Sequence, residues 1–244
     1  MDANYWNLLD IEFVIISRGR SDTITSHRLF PYATLCVPKS ESKDYAHIPL
    51  KQKHVPDNVK GLGPVRNWVL DTFKNEVVVM IDDDVMKLRA ACGLHTRNIT
   101  DPEMIRQIVY RTAVCAKDLG TSCFGFSQNP NATHYKASEP FSFVGYGGGV
   151  IGVVGRKHRF IENMFKVDVD FCLQVMMEDR VVWIDNQYSF VQHRNRNKGG
   201  NSLFRTKEKQ DAEIEGLRKK WGAHFRYEES KAGEKTTILV QRRQ

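Results

Sequence analysis

Val77 to Ile81 are five apolar residues in a row, and Asp82, Asp83 and Asp84 follow without a break. So short a run, rich in β-branched side chains, is the pattern of a strand covered on both faces, as inside a parallel sheet. Open α/β sheets gather their ligands at the carboxyl ends of such strands, and this end carries three acids. If the chain is still extended there, Asp82 and Asp84 project to the same side. Two carboxylates about 4 Å apart repel by roughly 4 kcal/mol at an effective dielectric near 20. A divalent cation removes that repulsion. Mg2+ or Mn2+ takes hard oxygen ligands, often only one or two carboxylates, and completes its shell with phosphate and water. The plain alternative is an acidic loop with solvated carboxylates, or a helix cap.

The residues around this strand alternate between strand and helix signals. Phe13–Ile16 reads as a strand, and Ser21 and Asp22 are good caps for a helix over about 23–30. Ala33–Val37 is a second strand, stopped by Pro38, and residues 39–59 are polar and irregular. Gly61-Leu62-Gly63-Pro64 leads into a helix from about Val65 to Lys74. Strand, helix, strand, helix, strand argues for the α/β class with a mainly parallel sheet. Further on, Asp101-Pro102-Glu103 opens a helix reaching about Leu119. Ser122–Ser127 reads as a strand and residues 128–139 as loop. Phe141–Val154 holds Gly145 and Gly147-Gly148-Gly149, too many glycines for an ordinary strand interior and a mark of bulges or close ligand approach. Asp168–Met177 and Lys207–Trp221 read as helices, Val181–Ile184 and Thr236–Val240 as strands.

Composition narrows the setting. The chain has 244 residues and a formal net charge of +7, a size that suits one α/β domain or two small ones and a charge compatible with a polyanionic partner. Lys and Arg outnumber Asp and Glu between Gln192 and Lys220. No run approaches the roughly 20 apolar residues of a membrane helix, so no membrane partner is expected. The N-terminus, MDANYWNLLDIEF, is acidic where a signal peptide is basic. Cys36, Cys92, Cys115, Cys123 and Cys172 are odd in number and fit no zinc spacing, which favours reduced thiols in a cytoplasm. The sequons at Asn98 and Asn131 then read as chance matches.

Two further motifs suit a nucleotide. Ser17-Arg18-Gly19-Arg20 offers guanidinium forks and a turn at the end of the first strand; alone, it reads equally as a surface turn. Gly61-Leu62-Gly63-Pro64-Val65-Arg66-Asn67 is a glycine turn before a helix N-terminus, where anions bind well. It lacks the Lys-Ser/Thr of a P-loop and the full G-x-G-x-x-G of a dinucleotide fold.

In their order these features resemble the glycosyltransferases of the GT-A fold: a nucleotide loop after the first strand, a G-x-G-x-x-R-N helix, and an apolar strand ending in a D-x-D-type triad. GT-A enzymes commonly continue with a glycine-bearing acceptor segment, an acidic pair opening a helix, and a late histidine. This chain has Gly147-Gly148-Gly149, Asp168-Val169-Asp170-Phe171 and His193. The match runs from about Phe13 to His193. Ile16–Arg20, Ile81–Asp84 and the basic charge further resemble the TET-associated glycosyltransferases, many of them phage-encoded.

That resemblance implies a Rossmann-like, mainly parallel central sheet flanked by helices, with a smaller acceptor-side sheet. It implies one catalytic domain over 1–244: a nucleotide-sugar half at about 11–90, an acceptor half at about 100–205, and a C-terminal helix and strand at about 206–244. The implied reaction moves a sugar from a nucleotide sugar, such as UDP-glucose or UDP-N-acetylglucosamine, to 5-hydroxymethylcytosine in DNA, with Mn2+ or Mg2+ as cofactor and the host cytoplasm as location. Asp84 would contact the metal directly and Asp82 the ribose, or the metal through water, with His193 completing the metal site. Ser17, Arg18, Arg20, Gly63, Arg66, Asn67, Asp83 and Lys198 would hold the nucleotide and its diphosphate. Tyr146, Gly147, Gly148 and Gly149 would face the acceptor, and Tyr135, Phe141, Phe143 and Tyr146 could stack on an extruded base; such aromatics are more commonly core. An inverting transfer needs a base, Asp168 or Asp170. The usual Glu-Asp step is missing because Val167 precedes Asp168, so the choice stays open, and Asp168 could instead cap its helix. The basic segment 193–202 suits a lid over the diphosphate, a clamp on DNA, or a solvated loop. Competing readings are a GT-A enzyme with a protein, lipid or glycan acceptor, a two-metal nuclease or nucleotidyltransferase, and a non-catalytic DNA-binding module whose acids are structural.

Overall fold

The computed structural model describes residues 9–163, 165–192, 206–230 and 233–240. The first half runs through strands β1 (Ile11–Ile16), β2 (Thr34–Pro38) and β3 (Gln52–Val55), helix α1 (Leu62–Thr72) and strand β4 (Val77–Asp82). Strands β5 (Val85–Cys92) and β6 (His95–Ile99) form a hairpin, followed by helix α2 (Pro102–Asp118) and strand β7 (Cys123–Phe126). Next come β8 (Phe141–Ser142), β9 (Val150–Val154), helix α3 (Val167–Glu178), β10 (Trp183–Asp185) and β11 (Tyr188–Gln192). Helix α4 (Lys207–Trp221) and the hairpin β12 (Phe225–Ser230) with β13 (Gly233–Ile238) complete the described elements.

The main sheet has the order β3-β2-β1-β4-β9-β7-β10-β8, and a smaller sheet has the order β11-β5-β6. The parallel pairing is concentrated in the first four strands, where β1 lies between β2 and β4 and β2 continues to β3. From β4 onward the sheet is mixed: β9 runs antiparallel to both β4 and β7, β10 parallel to β7, and β8 antiparallel to β10.

β4 is covered as its composition requires. Every residue from Val77 to Ile81 is at most 1% exposed. Val78 and Met80 face one core with Leu70 of α1, Leu173 of α3 and Leu217 of α4. Val77, Val79 and Ile81 face the other, with Val109 and Ala113 of α2 and Leu88 of the small sheet. Two-sided burial of five such side chains, at about 1.5–3 kcal/mol each, fixes where the strand must end. Helix α2 starts as predicted, with Asp101 accepting from the backbone of Glu103 and Met104.

Several local expectations need correction. The helix predicted over about 23–30 is only a 3-10 turn at Ser26–Arg28. The N–H groups of Thr25 and Ser26 donate instead to the Asp83 carbonyl, at 2.9 and 3.3 Å, and are not available to a helix. The polar stretch 39–59 contains β3, an edge strand with exposed Lys53 and His54 and therefore no alternating apolar signal. The resemblance implied a smaller sheet, but its strands β5, β6 and β11, and β12, were not located from the residues. β6 is largely exposed, so its residues carry no apolar pattern. No helix among the described residues is long and apolar enough to cross a membrane, and the five cysteines are free thiols.

Gly63 shows why α1 carries a glycine in its first turn. A Cβ at that position would overlap the backbone carbonyl of Ile161. Helix propensity alone predicts that Gly63→Ala stabilises by about 1 kcal/mol. The overlap reverses the sign: Gly63→Ala is expected to destabilise by about 1–3 kcal/mol, measured as a lowered urea midpoint at unchanged slope.

Candidate active site

The triad sits where β4 gives way to a turn. The strand ends at Asp82, Asp83 and Asp84 form the turn, and β5 begins at Val85. Ser26, fully buried, clamps this corner: its hydroxyl donates to the Asp82 carbonyl at 2.5 Å and accepts from the Val85 N–H at 2.9 Å. Thr25 Oγ1 donates to the Val85 carbonyl at 3.0 Å. From the other side, the Asp82 N–H donates to the Gly149 carbonyl at 2.8 Å. The backbone of all three acids is thereby held without help from their side chains.

The side chains divide. Asp83 points inward, 5% exposed, and accepts from Ser17 Oγ at 2.7 Å and Arg20 Nη1 at 2.8 Å. The Tyr45 hydroxyl closes this cluster, 2.8 Å from Ser17 Oγ and accepting from the Arg20 N–H at 3.0 Å. Burial raises the Asp83 carboxyl, opposed by Arg20 and the Ser17 hydrogen bond. Ser17, Arg20 and Asp83 thus hold one another. Asp82 and Asp84 face a common point as expected: one nitrogen, Gln192 Nε2, donates to Asp82 Oδ2 and to Asp84 Oδ1, each at 3.0 Å. Burial, with Asp84 and Asp83 nearby, pushes the Asp82 carboxyl up to about 6 against the pull of Arg66.

Two carboxylate oxygens converging on one point, with only an uncharged amide between them, form a donor set suited to a hard divalent ion. Among the described residues no group of three or more His, Cys, Asp or Glu could hold a metal. The oxygens of Asp82 and Asp84 therefore fit an ion that draws the rest of its shell from substrate and water. His193 and Lys198 lie outside the described residues.

Arg66 stands beside the pair. It is 2% exposed, its Nη2 lies 3.4 Å from Asp82 Oδ1, and its guanidinium rests 5.3 Å from the centre of the Phe160 ring. Its Nε and Nη1 are buried with no hydrogen-bond partner among the described residues, a state that costs about 1–3 kcal/mol per group unless a ligand accepts. Neighbouring Asn67 is engaged elsewhere. Its amide donates to the Phe160 carbonyl at 2.8 Å and accepts from the Phe160 N–H at 2.9 Å, pinning α1 to that segment. Arg18 lies 3.8 Å from Glu41.

The glycine segment is shaped by two glutamines. A side chain at Gly148 would overlap the amide of Gln128, and one at Gly149 the amide of Gln192. Gln128 Nε2 donates to the Gly147 carbonyl at 3.0 Å. Tyr146 is partly buried against the core. Gln128, Gln192 and Ser26 escape sequence reasoning because single polar residues carry no pattern; only the run of glycines hinted that neighbours had to fit there.

The two candidate bases differ sharply. Asp170 is fully buried and accepts from Lys220 Nζ at 2.7 Å, Trp221 Nε1 at 2.7 Å and Gln174 Nε2 at 2.6 Å. It ties α3 to α4. Asp168 is partly exposed in the first turn of α3, and its carboxylate has no hydrogen-bond partner among the described residues. It does not cap the helix, since Lys166 occupies the cap position.

A family model described as TET-Associated Glycosyltransferase matches residues 11–200. No curated protein matches the chain in sequence. Among solved structures, glucosyl-3-phosphoglycerate synthase from Mycobacterium tuberculosis, in complex with Mn2+, UDP-glucose and phosphoglyceric acid, is similar at a TM-score of 0.53 and 10% identity, over 96% of this chain and 88% of that one. The mannosyltransferase PcManGT from Pyrobaculum calidifontis, in complex with GDP-Man and Mn2+, gives 0.50 and 13% over 77% and 58%. TarS 1-349 from S. aureus gives 0.47 and 11% over 75% and 59%. The chain thus spans less than two thirds of the TarS and PcManGT chains. The fold is GT-A.

The contrast between the two acids is testable without an assay of activity. Asp170→Asn is expected to lower stability by about 1–3 kcal/mol, since an amide in that fully buried place turns an N–H toward the Gln174, Lys220 and Trp221 donors. Asp168→Asn should change it by less than about 0.5 kcal/mol, as substitutions away from packed features do. Chemical denaturation of the two variants checks both.

Proposed function

The chain belongs to the TET-associated glycosyltransferases, and from that premise we propose that it carries a sugar from a nucleotide sugar to the hydroxymethyl group of 5-hydroxymethylcytosine in DNA. Glycosyl transfer is the activity of the family; the DNA acceptor, the metal and the residue roles are the proposal. One observation carries it: Asp82 and Asp84 converge at the carboxyl end of β4 beside Arg66, whose buried Nε and Nη1 lack acceptors. Two acids and one unsatisfied guanidinium suit a metal–diphosphate ligand better than either acids or arginine alone.

In this reading residues 11–90 form the donor half and residues 100–205 the acceptor half of one catalytic domain. Asp84 and Asp82 hold Mn2+ or Mg2+, which supplies Lewis-acid stabilisation to the departing diphosphate. Arg66 donates to the diphosphate from Nε and Nη1, which have no acceptor among the described residues. Preorganised charge of this kind commonly provides the largest share of catalysis. Asp83 has a supporting part, holding Ser17 and Arg20 in place beneath the donor. Mn2+ bound with UDP-glucose or GDP-Man in the two structural relatives supports a metal and a nucleotide sugar here, and the net charge of +7 suits a DNA acceptor.

Asp168 is the base. Its carboxylate takes the proton of the hydroxymethyl oxygen as that oxygen bonds to the anomeric carbon. The bond from that carbon to the diphosphate oxygen breaks, and its electron pair leaves with the diphosphate. Asp170, saturated by three donors, orients α3.

The test is transfer to a duplex containing 5-hydroxymethylcytosine, with Mn2+ and a panel of nucleotide sugars led by UDP-glucose and UDP-N-acetylglucosamine. A sugar-sized mass gain on the nucleoside is expected. Asp84→Ala should lower kcat about a hundredfold to a thousandfold, and Asp168→Asn by a similar factor, both at near-unchanged stability. No gain with any donor, combined with undiminished donor turnover on another acceptor, would rule out the DNA reading.

A further inference from the structure

A pocket of about 270 Å3 lies between the outer face of the small sheet and the 127–139 loop. Its lining includes Arg89 and Ala91 of β5, Thr96 of β6, Ser189 of β11, and Ser127 and Tyr135 of the loop. Neither Arg66 nor the acids line it, but Ser127 and Ser189 of its lining lie near in sequence to Gln128 and Gln192, which meet the glycine segment and the triad. Ser127 precedes Gln128, whose amide packs on Gly148; Gly149 packs on Gln192, whose amide bridges Asp82 and Asp84. Ser189 and Gln192 are three residues apart on β11, or about 10 Å along a strand.

The pocket holds polar groups that have no partner among the described residues. Ser189 is 3% exposed and its hydroxyl has no partner. Paired directly across from it in register is Arg89, whose Nε is also buried without a partner; Arg89 Nη1 donates to the Pro130 carbonyl at 3.1 Å. A hydroxyl that donates or accepts, next to a fixed N–H donor, matches a nucleobase edge that presents both acceptors and an amino group. Tyr135 adds an aromatic wall for stacking. The volume lies just under the roughly 300 Å3 at which pockets for drug-sized ligands begin, a scale for one base and not for a duplex.

The rim of the pocket carries a second feature. Ala91 and Thr96 are a cross-strand pair of the β5–β6 hairpin. Two residues beyond Ala91 the hairpin turns at Gly93, φ +59°, and presents Leu94 at 81% exposure, the most exposed large apolar side chain among the described residues. Exposed Arg97 lies on the same hairpin. Apolar side chains displayed in this way, with basic residues alongside, are those that enter a base stack when a nucleotide leaves it.

We propose that this pocket receives the acceptor base extruded from duplex DNA, with Ser189 and Arg89 contacting its edge, and that Leu94 at the hairpin tip fills the gap left in the stack. The proposal rests on the DNA acceptor reading above, and one experiment separates the two. Oligonucleotides bearing a single 5-hydroxymethylcytosine, as duplex and as single strand, are compared as acceptors for the wild type, Leu94→Ala and Ala91→Trp, with thermal melting as the control for folding. A 2-aminopurine beside the modified base reports unstacking by fluorescence. Leu94→Ala is expected to lower the duplex-to-single-strand ratio of kcat/KM about tenfold and to abolish the fluorescence rise. Ala91→Trp, which fills the pocket, should raise KM for both acceptors about tenfold or more. Wild-type modification that both variants reproduce overturns the pocket and wedge while leaving the DNA acceptor standing. Failure of the wild type on both oligonucleotides overturns both readings.

Discussion

Like charge at the end of one buried strand is the constraint on which the rest of this structure depends. Three consecutive carboxylates cannot all be neutralised by the protein, and the fold treats them unequally. Asp83 is turned inside and given Arg20, Ser17 and, one step removed, Tyr45. Asp82, partly exposed, and Asp84, 9% exposed, are given only a shared amide, with a long contact from Arg66 to Asp82. Much of the local architecture follows from holding that division. Thr25 and Ser26 give up a helix to hold the turn. Gly149 supplies its carbonyl to Asp82 and leaves room for Gln192.

The same logic applies to Arg66. A guanidinium with buried, unpaired N–H groups is a stability penalty in the isolated protein, and it sits beside the acid whose own ionisation burial opposes. Opposite charges that could have formed a close pair stand 3.4 Å apart instead. Function-bearing sites commonly keep such incomplete contacts at the expense of stability. The mechanism proposed above uses that incompleteness directly.

How much of this could be read from sequence depended on whether a residue's role left a pattern. The strand Val77–Ile81 was legible because burial on both faces demands an unbroken apolar run, and the α2 start because Asp101-Pro102-Glu103 is a local capping chemistry. The acidic pair at 168 and 170 was legible as a pair but not as two roles. What separates them is Lys220 and Trp221, some fifty residues away in sequence. Exposed strands such as β6 and the edge strand β3 had no periodicity to find. The false helix near residue 25 shows the opposite failure, where correct local capping residues were overruled by a tertiary acceptor, the Asp83 carbonyl.

The bond between Asp170 and the end of α4 also bears on the order in which the chain becomes competent. A carboxylate with no exposed surface can be enclosed only when its donors are present, and two of them, the Lys220 ammonium and the Trp221 indole, are fifty and fifty-one residues downstream. During vectorial synthesis the donor-side strands emerge complete, with their own parallel pairings, well before that partner leaves the ribosome. The helix that carries Asp168 can pack its apolar face on β4 and α1 before then, but its buried carboxylate still lacks two of its three donors. A nascent chain would therefore pair the strands around the acid turn before the helix that carries Asp168 gains its ties to Lys220 and Trp221.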